Sequence, residues 1–252
     1  MRGPFPVSRS ARPPLWREAL VGLEAAALLR DPVFRGDGVS PGGGRAVLLI
    51  PGFMAGDGSL SLMAGWLKRT GHRPSRAGMW ANVDCAGSVV PRLEERLERL
   101  VAEQGKRVAI VGQSRGGTIG RVLARRRPDL VCGLVALGSP QLDPLAVHPL
   151  VRLQVEAVSR LGSLGAPGLF RRECLAGDCC ASFWEDLAAP LAADVACVSV
   201  YSKRDGIVDW QACLDPYATA SVEIRASHCG MAVSPAAWRA VADALGDFAR
   251  AA

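Results

Sequence analysis

One short segment in the middle of the chain constrains the fold more than any other. The apolar run 108–111 stops at Gly112, Ser114 follows two residues later, and Gly116 helps to open an Ala- and Arg-rich segment. This order predicts a strand, a tight turn and a helix, with G-x-S-x-G at the turn. Side chains at positions 112 and 116 would collide with the neighbouring strand or helix, so glycine is needed there. The turn would push the Ser114 hydroxyl out of the sheet and aim the Arg115 backbone N–H at charge developing beside it.

Strand-like and helix-like segments alternate along most of the chain. Apolar runs typical of buried strands occupy residues 46–50, 108–111, 130–137, 195–201 and 222–226. Residues 73–79 are a weaker strand candidate. Amphipathic segments typical of helices occupy residues 60–69, 91–105 and 115–126, and Pro235 opens a last one. This alternation predicts an α/β fold with a mostly parallel sheet and helices on both faces.

The domain organisation is predicted from where the alternation of strands and helices begins and where it is interrupted. Residues 1–44 are expected to form a tail, poorly ordered over 1–15, and then a helix over 16–30 with Trp16, Leu20, Leu23 and Ala27 on one face. That face would pack on the domain or lie on a membrane surface. Residues 45–252 form the main domain. Within it, residues 141–192 break the alternation and predict a helical insertion, which either covers a binding cleft as a lid or simply packs on the domain.

Composition narrows the classes of partner and location. The 252 residues carry a net charge of +6, but the arginines are scattered and there are only three lysines. We therefore expect no nucleic-acid partner. No stretch has the roughly 20 apolar residues of a membrane span, so membrane association would be peripheral at most. Because no clear signal peptide is present, we expect a cytoplasmic protein, and an extracytoplasmic location stays open.

Cysteine usage is the least decisive part of the sequence. Eight cysteines are present, three of them close together at 174, 179 and 180. Their C-x4-C-C spacing lacks the paired C-x2-C and histidine pattern of zinc sites, so we expect no metal. Reduced thiols are the default, with a disulfide from this group to Cys85 or Cys213 left open.

Three side chains suited to nucleophilic catalysis each follow a predicted strand. They are Ser114, Asp205 and His228, and the carboxyl ends of parallel strands face one ligand crevice. A serine hydroxyl is a weak nucleophile, so a neutral imidazole must take its proton and a carboxylate must orient that imidazole. The glycine-rich loop after residues 46–50 would add the backbone N–H of Phe53 as an oxyanion donor beside that of Arg115.

In these motifs and in their order along the chain, the sequence resembles the lipases and esterases of the α/β-hydrolase superfamily. The matching segments are I-P-G-F-M, G-Q-S-R-G-G, L-G-S-P, S-K-R-D-G-I-V-D and S-H-C-G-M, spread over residues 46–250. The resemblance implies a Ser114–His228–Asp205 triad with oxyanion donors at Phe53 and Arg115. It departs from the family at Pro51, where many lipases have histidine, and in lacking two leading antiparallel strands before residue 46.

Alternatives for the base and the acid are weaker. His72 follows a helix in an expected surface turn, and His148 does not follow a sheet strand. Asp209 competes with Asp205 for the acid, but Asp205 comes sooner after the strand and precedes a flexible glycine.

The sequence therefore predicts a serine hydrolase that cleaves carboxylic esters through an acyl-enzyme. It needs no cofactor, and its substrate would be a small ester or a lipid. An acyltransferase or lyase on the same fold and a non-catalytic binding protein remain alternatives. The oligomeric state is left open.

Overall fold

The structure, a computed structural model, describes residues 13–250. Its helices are α1 (Val21–Arg30), α2 (Pro32–Arg35), α3 (Ser61–Arg69), α4 (Ala86–Gln104), α5 (Arg115–Arg126), α6 (Pro149–Ser163), α7 (Glu173–Ala176), α8 (Ala181–Ala188) and α9 (Pro235–Arg250). Short 3-10 turns cover Leu15–Leu20, Asp57–Leu60, Asp178–Cys180, Trp210–Cys213 and Cys229–Val233. The expectation of poor order over residues 1–15 falls mostly on residues 1–12, which lie outside the described chain.

The strands form one sheet whose pairings are all parallel. They are β1 (Ala46–Ile50), β2 (Arg73–Arg76), β3 (Val108–Gln113), β4 (Val131–Leu137), β5 (Ala196–Tyr201) and β6 (Ala220–Glu223). In the described residues the spatial order is β2-β1-β3-β4-β5-β6, with β3 and β4 at the centre. The predicted mostly parallel α/β sheet is confirmed. No antiparallel strand precedes β1 within residues 13–250, so the sheet is as small as the sequence suggested.

Both faces of the sheet are covered, because alternate residues of each buried strand point to opposite sides. Val47 and Leu49 of β1 pack with α3 and α9 on one face, whereas Leu48 and Ile50 pack with α4 and α5 on the other. Each such fully buried side chain contributes about 1.5–3 kcal/mol to folding. The sheet therefore holds its carboxyl-terminal edge rigidly in place.

Two tryptophans join α2, α3 and α9 on the first face. Trp66 and Trp238 are fully buried with ring centroids 4.7 Å apart. Trp66 Nε1 donates to the Val33 carbonyl at 2.8 Å, and Trp238 Nε1 donates to the Ala232 carbonyl at 2.9 Å. Because buried indole N–H groups need a partner, these bonds let both rings pack without leaving a donor unpaired.

Three predicted boundaries are wrong. The weak strand candidate 73–79 ends at Arg76 as β2. The last strand ends at Glu223 rather than 226, because β6 pairs with β5 from Ala220, where Val198 is its partner. Helix α4 starts at Ala86, before Pro91, which lies within it. Pro91 is the sixth residue of α4, so it removes the N–H that would bond to the Gly87 carbonyl, and its ring crowds that carbonyl. The helix continues through it because Val89, Val90 and Leu93 on either side are buried in the core.

The N-terminal helical segment does not pack on the domain through its predicted apolar face. Trp16 and Leu23 are 64% and 69% exposed, and Leu28 is the residue of α1 that is buried. Glu18 and Glu24 instead approach the main domain, where they accept backbone N–H bonds described below. The carboxylates thus satisfy backbone N–H groups of the main domain, partners that apolar periodicity alone could not reveal.

None of the helices within residues 13–250 is both long and apolar enough to cross a membrane. Helices α6, α7 and α8 occupy the chain between β4 and β5, where the insertion was expected. The domain division at residue 44 remains a prediction.

Candidate active site

Ser114 occupies the tight turn between β3 and α5. Its φ of 52° lies in the left-handed region, which is unusual for a residue with a side chain. A Cβ on Gly116 would lie 2.1 Å from the Ile50 carbonyl oxygen, and one on Gly112 would lie 2.5 Å from the Gly117 Cα. The two glycines are therefore required by close packing, as the motif predicts. The Ser114 N–H donates to the Leu137 carbonyl at 2.8 Å, which anchors the turn to β4.

Asp205 and His228 meet at the same edge of the sheet. The Asp205 Oδ2 lies 2.7 Å from His228 Nδ1, and both side chains are buried, at 2% and 6% exposure. The other carboxylate oxygen accepts the N–H groups of Ile207 at 2.8 Å and Val208 at 2.7 Å. Backbone bonds on one oxygen leave the other aimed at the ring.

The rival acid lies elsewhere in the same loop. Asp209 is buried and caps the 3-10 turn Trp210–Cys213, accepting the Gln211 N–H at 3.2 Å. It thus satisfies backbone groups, which is the role that the sequence suggested for it.

Burial and nearby negative charge have opposite effects on the pKa of the His228 imidazole. Burial favours the neutral ring, but the charge and hydrogen bond of Asp205, together with the charge of Glu18, outweigh it and raise the His228 pKa above its usual 6.5. A hydrogen bond from Nδ1–H to Asp205 leaves Nε2 as the acceptor. A ring so held is suited to take a proton and to bear a positive charge transiently.

Gln113, the residue before Ser114, connects the loop that carries His228 to the turn that carries Ser114. Gln113 Nε2 donates to the His228 carbonyl at 3.1 Å. Ser114 and His228 border the same cavity, with no hydrogen bond between their side chains in the described part of the chain. Such catalytic contacts often tighten only when substrate is bound.

The loop after β1 lies directly against the serine. A Cβ added to Gly52 would be 3.2 Å from the Ser114 Cβ. Within residues 13–250, neither the Phe53 N–H nor the Arg115 N–H donates to another backbone group. Two free donors beside the serine are what an oxyanion site requires.

Asn82 holds this loop and was not singled out by the sequence analysis. It is fully buried, and its Nδ2 donates to the Pro51 carbonyl at 2.7 Å. Its backbone N–H donates to the Ala55 carbonyl at 2.8 Å. Its side-chain oxygen accepts from Arg115 Nη1 at 2.7 Å. Asn82 therefore connects the Phe53 loop to the residue that follows Ser114.

The Arg115 side chain turns away from the serine. It is half-buried and donates to the Asn82 and Asp84 carbonyls at 2.8 and 2.6 Å. Its guanidinium lies 5.5 Å from the Phe170 ring centroid. Burial lowers the Arg115 pKa to about 10, although the charge of Asp84 opposes this. The side chain thus braces the site while its backbone N–H remains available.

Two further carboxylates were missed as part of the site. Glu18 Oε1 accepts the N–H groups of Gly206 at 2.9 Å and His228 at 3.0 Å, one from each of the acid and histidine loops. Glu24 accepts the N–H and the hydroxyl of Ser227 at 2.7 and 2.6 Å. Glutamates within an otherwise apolar helix were the only available signal, because their backbone partners have no sequence signature.

The other two histidines, His72 and His148, make contacts that support the fold. His72 is buried beneath Gly42, so its predicted surface position is wrong; a Cβ on Gly42 would lie 2.4 Å from its Nδ1. Its pKa is lowered by burial and by the charge of Arg45. His148 caps α6 by accepting the Leu150 N–H at 3.2 Å.

A cavity of about 630 Å³ opens beside the serine. Ser114, Phe53, Arg115 and His228 border it from the main domain. The insertion supplies much of the apolar wall, through Leu145, Val151, Val155, Phe170, Leu175 and Trp184. The insertion therefore covers the cleft; its movement as a lid remains a prediction.

The structure also alters the interpretation of the cysteines. Cys85 joins Cys174, Cys179 and Cys180, and the four sulfurs lie within 4.8 Å of one another. The sequence spacing of the last three had argued against a metal, because it did not include the distant fourth cysteine. Cys213 is buried outside this group.

No protein-family model matches the sequence, and no curated protein is similar to it in sequence. The structure is similar to a metagenomic carboxyl esterase, with a TM-score of 0.63 and 14% identity over 96% of each chain. It is similar to a lipase from Bacillus licheniformis, with a TM-score of 0.61 and 13% identity over 82% of this chain and 94% of that chain.

A soluble variant of monoglyceride lipase from Saccharomyces cerevisiae, in complex with a substrate analog, gives a TM-score of 0.59. Its identity is 15%, over 86% of this chain and 89% of that chain. At such identities the likeness is one of fold. The chain has the α/β-hydrolase fold, which it shares with these lipases and esterases, and the predicted fold class is confirmed.

Proposed function

We propose that this protein is a serine hydrolase that cleaves carboxylic esters. The observation that carries the proposal is the buried Asp205–His228 pair beside a strained Ser114 at one cavity. Strained backbone at a serine and a buried carboxylate on a histidine each cost stability, and both are useful when the serine is a nucleophile. The fold shared with lipases and esterases is consistent with this proposal.

The reaction would follow from these positions. The Ser114 hydroxyl attacks the ester carbonyl carbon while His228 Nε2 takes its proton, and Asp205 stabilises the imidazolium through Nδ1–H. The negative charge on the tetrahedral oxygen is held by the N–H groups of Phe53 and Arg115. His228 then protonates the leaving alcohol. In the second half, water attacks the acyl-enzyme with His228 as base, and the acid is released.

The cavity suggests the substrate class. Its wall is largely apolar, and much of it comes from the insertion. Burying each methylene of an acyl or alcohol chain there would contribute up to about 0.8 kcal/mol. The proposed substrates are therefore esters with an apolar acyl or alcohol group, lipids among them.

The decisive experiment combines an active-site probe with ester turnover. Wild type should react with a fluorophosphonate probe and hydrolyse p-nitrophenyl esters. Ser114→Ala should not be labelled and should lose at least about 10⁴-fold in kcat, because the nucleophile is gone. Ser221→Ala, which alters an exposed serine of β6, is the matched control and should keep both properties. Labelling of Ser114→Ala at the wild-type rate would refute the assignment of the nucleophile.

A further inference from the structure

The four-cysteine cluster lies at the junction between the main domain and the insertion. Cys85 immediately precedes α4, Cys174 lies in α7, and Cys179 and Cys180 lie in the 3-10 turn that follows. The Cys85 and Cys180 sulfurs are 3.5 Å apart, and those of Cys179 and Cys180 are 3.7 Å apart. All four sulfurs lie within 4.8 Å of one another.

We propose that Cys85, Cys174, Cys179 and Cys180 bind a single Zn²⁺ ion in a structural site. Zinc bound by four thiolates is tetrahedral with Zn–S bonds of about 2.3 Å, which places the sulfurs about 3.8 Å from one another. The separations in the cluster bracket that value, so one ion could be reached by all four with small side-chain rotations. A set of four soft sulfur ligands selects zinc over the hard cations magnesium and calcium.

Convergence of the sulfurs argues for a metal rather than two disulfides. Two disulfides require two separate close pairs, and nothing obliges the pairs to meet. Here the Cys180 sulfur has near neighbours in both Cys85 and Cys179. Four sulfurs around a common centre are the arrangement that one cation requires.

The surroundings of the cluster suit a site with net negative charge. The Arg171 N–H donates to the Cys174 sulfur at 3.3 Å, a contact that orients a thiolate ligand. Arg115 donates to the carbonyl of Asp84, the residue before Cys85, so a guanidinium lies next to the cluster. The start of α4 also packs closely against the turn that carries Cys179 and Cys180. A Cβ on Gly87 would lie 2.8 Å from the Cys179 carbonyl oxygen.

The position indicates what the ion would do. Cys85 and Cys180 are 95 residues apart in the chain, and Cys174 borders the cavity. A bound ion would therefore fasten the insertion to the start of α4 beside the proposed substrate cleft. Since the ligands come together only in the folded chain, zinc binding would contribute to folding stability. This proposal does not depend on ester hydrolysis, because metal content is measured without substrate.

The first test uses the full wild-type chain, purified under reducing conditions without chelator. After incubation with Zn²⁺ and gel filtration, elemental analysis should give one zinc per chain. Co²⁺ in its place should give the d–d bands of a tetrahedral site with sulfur-to-cobalt charge transfer. A reduced protein that retains no zinc and shows no such spectrum would overturn the proposal. So would four thiols that react with a thiol reagent only after denaturation and strong reduction, which would mean disulfides.

Variants test the ligands themselves. Cys179→Ser changes an exposed ligand and is the variant expected to fold normally. It should lose the zinc and the charge-transfer band, and Cys85→Ser should do the same. Cys132→Ala, which removes a buried thiol outside the cluster, is the matched control and should keep one zinc. Chelator should lower the Tm of wild type and of this control, and leave that of Cys179→Ser unchanged. Full zinc retention by Cys179→Ser would contradict the assignment.

Discussion

At the scale of single residues, Asn82 has the most demanding position after the proposed triad. It is fully buried and bonds to Pro51 and Ala55, which flank the proposed donor Phe53, and to the side chain of Arg115, the other proposed donor. Oxyanion donors are effective only when they are held at the place where charge develops, because reorienting them costs energy during the reaction. We therefore propose that Asn82 is a positioning residue for the proposed donors Phe53 and Arg115.

We expect Asn82→Ala to lower kcat about 10-fold or more with little change in KM. The reason is that the oxyanion contacts are stronger in the transition state than with bound ester. The change should also destabilise the fold by about 1–3 kcal/mol, since the Pro51 carbonyl is left buried and unpaired. Steady-state kinetics and chemical denaturation measure the two effects.

The control is Ser199→Ala in β5, which removes another buried hydrogen bond, from Ser199 Oγ to the Cys213 carbonyl, away from the loop. It should lose comparable stability and keep kcat. If both variants lose kcat equally, the effect of Asn82 is one of general stability.

At the scale of elements, the N-terminal helical segment places Leu28 in the core and directs two glutamates to the loops of the candidate site. Glu18 and Glu24 accept backbone N–H groups from the loops that carry Asp205 and His228. The stripe with Trp16 and Leu23 consequently faces outward. A carboxylate that accepts several N–H bonds holds those loops in a fixed relation, and its charge also acts on the nearby imidazole.

The charge of Glu18 makes a pH-dependent prediction. The His228 pKa is raised above 6.5, so kcat/KM should rise with pH as the imidazole loses its proton, with a midpoint above that value. A negative charge favours the protonated ring, so Glu18→Gln should lower the His228 pKa. The midpoint of the rising limb should then move to lower pH. Profiles of kcat/KM against pH measure this shift.

Glu98→Gln provides the control, because it removes a carboxylate of the same charge that pairs with Arg127 on an exposed surface. Its profile should match wild type. A Glu18→Gln profile that moves to higher pH, or that does not move, would contradict the electrostatic role.

At the scale of the whole molecule, the cavity is shared between the main domain and the insertion. The edge of the sheet provides the proposed catalytic groups, and α6 to α8 with their loops provide much of the apolar wall. Chemistry and substrate preference would thus reside in different parts of the chain. This division agrees with the general location of ligand sites at the carboxyl ends of parallel strands.

The apolar wall predicts a preference among esters. With p-nitrophenyl esters of increasing acyl length, kcat/KM should rise by up to about fourfold per methylene until the cavity is filled. The measurement is a series of initial rates below KM, with Ser114→Ala as the blank. Equal turnover of short and long acyl esters would refute the apolar cleft while leaving the proposed nucleophile untouched.

Local sequence was sufficient for the framework. The buried runs of β1, β3, β4 and β5, the glycines around Ser114 and the order of Ser114, Asp205 and His228 could all be read from neighbouring residues. This works because strand burial and tight turns depend on a few adjacent side chains. The edge strand β6 and the start of α4 were less well placed, since their limits depend on pairing and packing partners.

The sequence by itself therefore determined an alternating α/β chain in which Ser114 lies between two glycines. It also identified Asp205 and His228 as the proposed partners of this serine. Only the tertiary structure decided that Glu18 reaches the His228 loop, 210 residues away, and that Cys85 meets Cys180 across 95 residues. It likewise decided that Asn82 holds the loop beside Ser114. These contacts join backbone groups and side chains that are distant in sequence, and no local pattern encodes them because only the folded chain brings them within bonding distance.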